Sequence, residues 1–216
     1  MAVLSRLRSA YRVTSDVDIV GRREANLPAQ LDVLLSHGAT AVDAAGAMIA
    51  TPLGEVRVDT LEVSVSQLND LPADPTDRLY VLSHEWAFRT AAPLRIQATD
   101  GGSQSADVVV LVAEPGPLVA TKLQALPNRA KAKEATDLLD IIRLTLDPKS
   151  GQVVRAQLRS ADRTLRSDAA MHAQQWFIER AERTLRFVRS TPAGRQIDSD
   201  TIDLVGELLL ASLGSN

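Results

Sequence analysis

Apolar positions recur along this chain in two rhythms, and the change between them divides it. Up to about Pro115, short strand-like runs alternate with helical ones; beyond it the spacing is almost entirely helical. The first half predicts a helix over 2–9, a strand over 15–20, and a helix over 26–37 with Leu27, Leu31, Leu34 and Leu35 at helical spacing before Gly38. Strands follow over 47–51 and 55–63 across the turn Pro52-Leu53-Gly54, then a helix over 76–91. Residues 94–99 and 106–113 read as a hairpin across Asp100-Gly101-Gly102-Ser103. In the second half a helix begins near Pro117 and runs through Lys122 to Leu126. The next, over 132–146, has Ala135, Leu138, Leu139, Ile142 and Leu146 on one face, and further helices cover 152–160, 165–189 and 198–213. This is an α+β pattern, with a mixed β-sheet unit over 1–115 and a helical unit over 116–216.

The strand over 15–20 interrupts its apolar alternation with Asp16-Val17-Asp18. Side chains two apart on a strand share a face, so the two carboxylates lie side by side. Like charges at about 4 Å repel by roughly 4 kcal/mol at an effective dielectric near 20. A shared proton or a cation relieves this, and hard carboxylate oxygens suit Mg²⁺ completed by waters and substrate phosphates. Nucleotide chemistry is the first expectation, although such triplets also occur as solvated strand ends. Asp59, on the strand over 55–63, offers a third carboxylate for a metal site or a general base; as a lone Asp it would be a surface residue.

Lys122 stands in the apolar run Leu118-Val119-Ala120-Thr121-Lys122-Leu123-Gln124-Ala125-Leu126. It either snorkels to solvent or aims its ammonium at phosphate oxygens. Asp137 lies on the next helix, where it is a surface acid or the partner of Lys122 across two packed helices.

Charge sharpens the second half. Lys149 to Arg195 contains ten Lys/Arg and four Asp/Glu, a net +6 that leaves −9 on the rest of a chain of net −3. Phe177, Ala181, Leu185 and Val188 share a helix face, while Arg180, Arg183, Arg186 and Arg189 fan across its edges and back. Such a face is either laced with ion pairs or offered to a polyanion such as an RNA backbone.

Composition removes other classes. There are no cysteines, which excludes disulfides and thiolate metal sites. No run of 18 or more apolar residues exists, and the apolar part of the N-terminus is too short for a signal peptide, so a cytoplasmic protein is expected. Aromatics are only 3%, so the core must be mainly Leu, Val, Ile and Ala. Phosphate-loop, dinucleotide-fingerprint and His-Glu-x-x-His motifs are missing, and His37, His84 and His172 lack ligand spacing. Ser83-His84-Glu85-Trp86 reads as helix packing rather than a catalytic cluster.

Taken in order, these pieces resemble the AbiEii-type nucleotidyltransferase toxins, especially the mycobacterial MenT group. The residues that carry the resemblance are Arg12-Val13-Thr14-Ser15-Asp16-Val17-Asp18, Asp59 on a later strand, Lys122-Leu123-Gln124-Ala125-Leu126 with Arg129, and Lys133-Glu134-Ala135-Thr136-Asp137-Leu138. Glu134 replaces the usual Asp, and the match spans residues 1 to about 146. The family's Gly-Gly pair, which holds phosphate, is expected before Met1-Ala2-Val3-Leu4: either the chain lacks an N-terminal piece or its start lies further upstream.

The resemblance implies a two-lobed nucleotidyltransferase-like fold and Mg²⁺-dependent transfer from an NTP to an acceptor. In the family that acceptor is the 3′ end of tRNA, which blocks translation, or a protein side chain in AMP-transferring relatives. A third reading is a binding module without transfer. As implied site residues, Asp16 and Asp18 hold Mg²⁺, Asp59 deprotonates or orients the hydroxyl or ligates a second metal, Lys122 neutralises phosphate with Arg12 and Ser15 beside the nucleotide, and Asp137 positions Lys122 or contacts the nucleotide. Arg180, Arg183, Arg186 and Arg189 hold RNA. A cognate antitoxin is expected as partner, acting in some relatives by modifying a hydroxyl beside the acids, here Thr14 or Ser15.

Overall fold

The computed structural model describes residues 2–12, 16–52, 54–99, 105–128 and 130–214. Helix α1 (Ala2–Arg6) precedes strand β1 (Asp16–Arg23), which starts at the first acid of the triplet. Helix α2 (Gln30–Ser36) is shorter than the leucine spacing suggests. Pro28 disfavours helical backbone at the residue before it, so the helix begins only at Gln30 and Leu27 is left exposed.

Strands β2 (Thr40–Ala41), β3 (Gly46–Thr51) and β4 (Gly54–Ser64) complete a four-stranded sheet in the order β1-β4-β3-β2. β1 runs parallel to β4, whereas β3 is antiparallel to both of its neighbours. The short helix α3 (Val65–Asn69), which the apolar pattern does not reveal, is opened by a capping box between Ser64 and Gln67. Helix α4 (Pro75–Arg89) follows; Asp74 caps it by accepting from the Thr76 and Asp77 amides, and Pro75 fills the first turn. Strands β5 (Ala92–Thr99) and β6 (Ser105–Val112) form a separate antiparallel hairpin. Its turn, expected at 100–103, lies outside the described residues.

Alternation assigns the faces of the larger sheet. Asp16, Asp18, Val20 and Arg22 of β1 share a side with their register partners Arg57, Asp59, Leu61 and Val63 of β4. α4 packs against β1 and β4, and Glu85 pairs with Arg22, whose guanidinium lies 5.7 Å from the Phe88 ring. The opposite side carries Val58 and Thr60, both buried. α2 approaches the sheet: the Gln30 backbone N–H donates to Glu62 at 3.0 Å, and a Cβ on Gly21 would lie 2.1 Å from the Gln30 side-chain Nε2. Ser83 and His84 are buried in α4, with His84 bonded to the Tyr80 carbonyl at 2.7 Å, which agrees with the packing role expected of that cluster.

The rest is helical: α5 (Pro115–Ala125), α6 (Lys131–Leu146), α7 (Gly151–Ser160), α8 (Arg163–Gln174), α9 (Ala181–Arg189) and α10 (Ser199–Leu213). Their core is mainly aliphatic, joined by Val3, Leu7 and Leu79 from the first half. The helix expected over 165–189 is interrupted. Residues Gln175–Glu179 form a π-turn in which the Arg180 amide reaches back to the Gln175 carbonyl at 3.0 Å, and Thr184 Oγ1 donates to the Trp176 carbonyl at 2.6 Å. The wider turn directs the adjacent rings of Trp176 and Phe177 inward, and both are at most 2% exposed. Gly206 of α10 sits against it, where a Cβ would come within 2.9 Å of Ile178 and 3.2 Å of Phe177.

Candidate functional site

The acid strand and the helical half meet around Asp18. This residue is open to solvent on one side, yet its carboxyl is held above the usual carboxylate range. Displacement of water by the surrounding protein is the chief cause and the Asp16 carboxylate the next; Lys122 opposes them and Asp59 adds to them. One carboxyl thus feels two acids of the sheet and the ammonium of α5 together.

Asp59 does not stand alone. Arg57, two residues earlier on β4 and therefore on the same side, donates to Asp59 at 2.8 Å and pairs with Asp43 at 2.6 Å. Gly46 on β3 lies opposite Asp59, and a Cβ there would approach Asp59, Arg57 and Asp43 at 2.8, 2.9 and 3.0 Å. The glycine therefore leaves room for the side-chain ends of this acid–arginine–acid arrangement.

Lys122 does not snorkel freely. Val119, Ala120 and Leu123 around it are fully buried, and its own side chain is 17% exposed. The ammonium lies 2.5 Å from Asp137 and 2.7 Å from Asp140, both on α6. Burial opposes its charge, but the two carboxylates outweigh burial and raise its pKa. Asp140 is completely buried and accepts from the Tyr11 hydroxyl and from Arg12, whose Nη2 lies 3.0 Å away. Lys122 and Arg12 overcome the burial penalty and hold Asp140 below the usual carboxylate range.

The sequence-derived candidates are thus distributed as follows. Asp16, Asp18 and Asp59 share one face of the sheet, and Lys122, Asp137 and Arg12 form a linked group beside it. Thr14 and Ser15 lie outside the described residues, as does Arg129. Arg180, Arg183, Arg186 and Arg189 belong to a separate surface. Arg180 and Arg183 lie 5.2 and 5.3 Å from the Trp176 ring, and Arg183 also pairs with Glu134 at 3.2 Å. Arg189 donates to the Ile197 carbonyl at 2.7 Å, while Arg186 lines a shallow hollow with Arg180 and Arg183.

Sequence reasoning missed Arg57, Asp43, Asp140 and Tyr11. Arg57 is signalled by its two-residue offset from Asp59, and Asp140 by its three-residue offset from Asp137 on one helix side. Asp43 and Tyr11 come from irregular segments and have no periodic signal.

Among the described residues, no group of three or more His, Cys, Asp or Glu is arranged to hold a metal. Asp16 and Asp18 supply two hard oxygen donors, the number Mg²⁺ commonly takes from protein while phosphate and water complete its shell. Strand alternation puts both carboxylates on one side of β1, so the pair fits that ion by donor type and placement. Asp59 would join only after Arg57 let go. Among the described residues, no helix is long and apolar enough to cross a membrane. No protein-family model, curated protein or solved structure matches this chain.

Proposed function

We propose that this chain is a nucleotidyltransferase with the two-lobed fold of that class, moving a nucleotide from an NTP to an RNA 3′-hydroxyl, with tRNA ends as acceptors. In this reading it is the toxin of a pair and a cognate antitoxin restrains it. The observation that carries the proposal is the parallel register that sets Asp18 opposite Asp59, with Asp16 two residues away on the same side of β1.

The roles follow from charge and placement. Asp16 and Asp18 would hold Mg²⁺, which when bound offsets triphosphate charge and stabilises the leaving pyrophosphate. Lys122, kept protonated by Asp137 and Asp140, faces phosphate oxygens as a point charge. The acceptor oxygen attacks the α-phosphorus, the bond to the bridging oxygen of the β-phosphate breaks, and pyrophosphate leaves with that electron pair. The hydroxyl proton passes to the Asp59 carboxylate after Arg57 turns away, toward the incoming phosphates. The Arg180 and Arg186 surface supports RNA by backbone charge, a contact weakened by salt.

The test is transfer of label from each of the four NTPs to total tRNA with Mg²⁺. Label sensitive to RNase and lost in Asp18→Ala is expected. Label that survives RNase and runs with protein would move the acceptor to a side chain. RNA binding with no label from any NTP would leave a binding module and end the proposal.

A further inference from the structure

We infer that Asp140 is the positioning residue of this site: it fixes the Lys122 ammonium and the segment entering β1 relative to each other, and so sets triphosphate binding without touching the substrate. The inference rests on the nucleotidyl-transfer reading. Asp140 has no exposed side-chain surface, so it acts only through its neighbours. Those neighbours come from two parts of the chain. Tyr11 and Arg12 lie shortly before Asp16, and Lys122 projects from α5.

The bonding divides the carboxylate between them. Oδ1 accepts from the Tyr11 hydroxyl and lies 3.4 Å from Arg12 Nε; Oδ2 is 3.0 Å from Arg12 Nη2 and 2.7 Å from Lys122 Nζ. All four acceptor positions of a carboxylate are engaged. Lys122 and Arg12 thus meet on one buried carboxylate, which fixes where each cation stands relative to the other and to the start of β1. Without Asp140, Lys122 would keep its contact with Asp137 and Arg12 would lose its contact with this carboxylate.

The experiment uses the full chain with inorganic tripolyphosphate as probe, read by calorimetry, and Mn²⁺ as a reporter of the acid pair, read by electron paramagnetic resonance. Asp140→Asn is expected to weaken tripolyphosphate binding by about tenfold or more, as removal of a buried charged partner does. Mn²⁺ affinity should stay within about twofold, and the Lys122 Nζ titration followed by NMR should move to lower pH, since one of two acids that raise it is gone. A scaffold role would shift both affinities together. Should Asp140→Asn fail to fold, Tyr11→Phe decides: it removes one donor, keeps every charge, and should weaken tripolyphosphate alone, by a few-fold. Unchanged tripolyphosphate binding in the variant that folds, or a parallel fall in Mn²⁺ affinity, overturns the inference. If wild type itself binds no tripolyphosphate, the nucleotidyl-transfer reading falls and takes this inference with it.

Discussion

Asp18 and Asp59 occupy paired positions of the parallel strands β1 and β4, so two carboxylates leave the same face of the sheet from neighbouring backbones. Asp16 adds a third two residues from Asp18. This clustering is unfavourable for the fold and useful for cation chemistry. Asp18→Asn should therefore hold or raise the thermal midpoint in metal-free buffer while lowering transfer by about a hundredfold, near 3 kcal/mol of barrier. Mg²⁺ should raise the midpoint of wild type and leave that of the variant in place. Thermal scans with and without Mg²⁺ check both. A variant less stable than wild type without metal would show that the acids are not crowded.

Lys122 is the reverse case, a residue whose loss should cost stability as well as activity. Lys122→Met leaves Asp137 and Asp140 without their ammonium in a nearly closed site. Breaking a buried pair in this way costs about 3–5 kcal/mol. For a chain of this size that is a fall of roughly 6–20 °C in the midpoint, at about 2–4 °C per kcal/mol. Chemical and thermal unfolding of the purified variant give the answer. A change under about 1 kcal/mol would mean that the two acids find other partners.

Gly46→Ala tests the Arg57 clamp. The backbone at Gly46 lies outside the left-handed region, so the methyl meets only a steric obstacle, the flexible ends of Asp59, Arg57 and Asp43. Those ends can move, so the stability cost should be modest, about 1 kcal/mol. The Asp59 carboxyl would shift with them, and transfer should fall more than stability does. Urea unfolding alongside the labelling assay separates the two effects; full transfer in the variant would remove Asp59 from the reaction.

His172 predicts the response to mild acid. It is 2% exposed, neither ring nitrogen has a hydrogen-bond partner, and burial lowers its pKa despite Asp168 and Asp74. The unfolded chain therefore takes up the proton first. This residue's contribution is complete above the unfolded value of about 6.5 and is lost as pH falls from there toward the lower folded value. Urea midpoints at pH 7.5, 6.5 and 5.5 should decline for wild type, and His172→Leu should flatten the decline. A variant with the wild-type slope would assign the effect to other groups.

Much of the site is legible in the sequence because its parts are periodic. Asp16 and Asp18 declare a shared strand side by their spacing, and the apolar run around Lys122 makes Asp137 one of two open readings, a partner or a surface acid, of which the structure takes the partner. The parallel union of β1 with β4 is not written in either strand; it depends on the crossover through α2 and β3. The π-turn at 175–179 escapes because the 3.6-residue rhythm runs through it, and only the Thr184 bond and the inward pair of rings set the wider turn. Asp43 reaches Arg57 from a bend fourteen residues away, where no rhythm exists. The Ser64–Gln67 capping box is readable, and it marks α3 where apolar spacing is silent.

The crossover between β1 and β4 has a bearing on when the acids of the two strands meet. Asp18 and Asp59 are neighbours only once the intervening α2, β2 and β3 have formed and β4 has docked alongside β1. Non-local strand pairing of this kind comes late, since chain entropy is lost before the contacts repay it. An emerging or partly folded chain therefore keeps Asp59 away from Asp16 and Asp18, and the three carboxylates share one face only when the sheet is nearly complete.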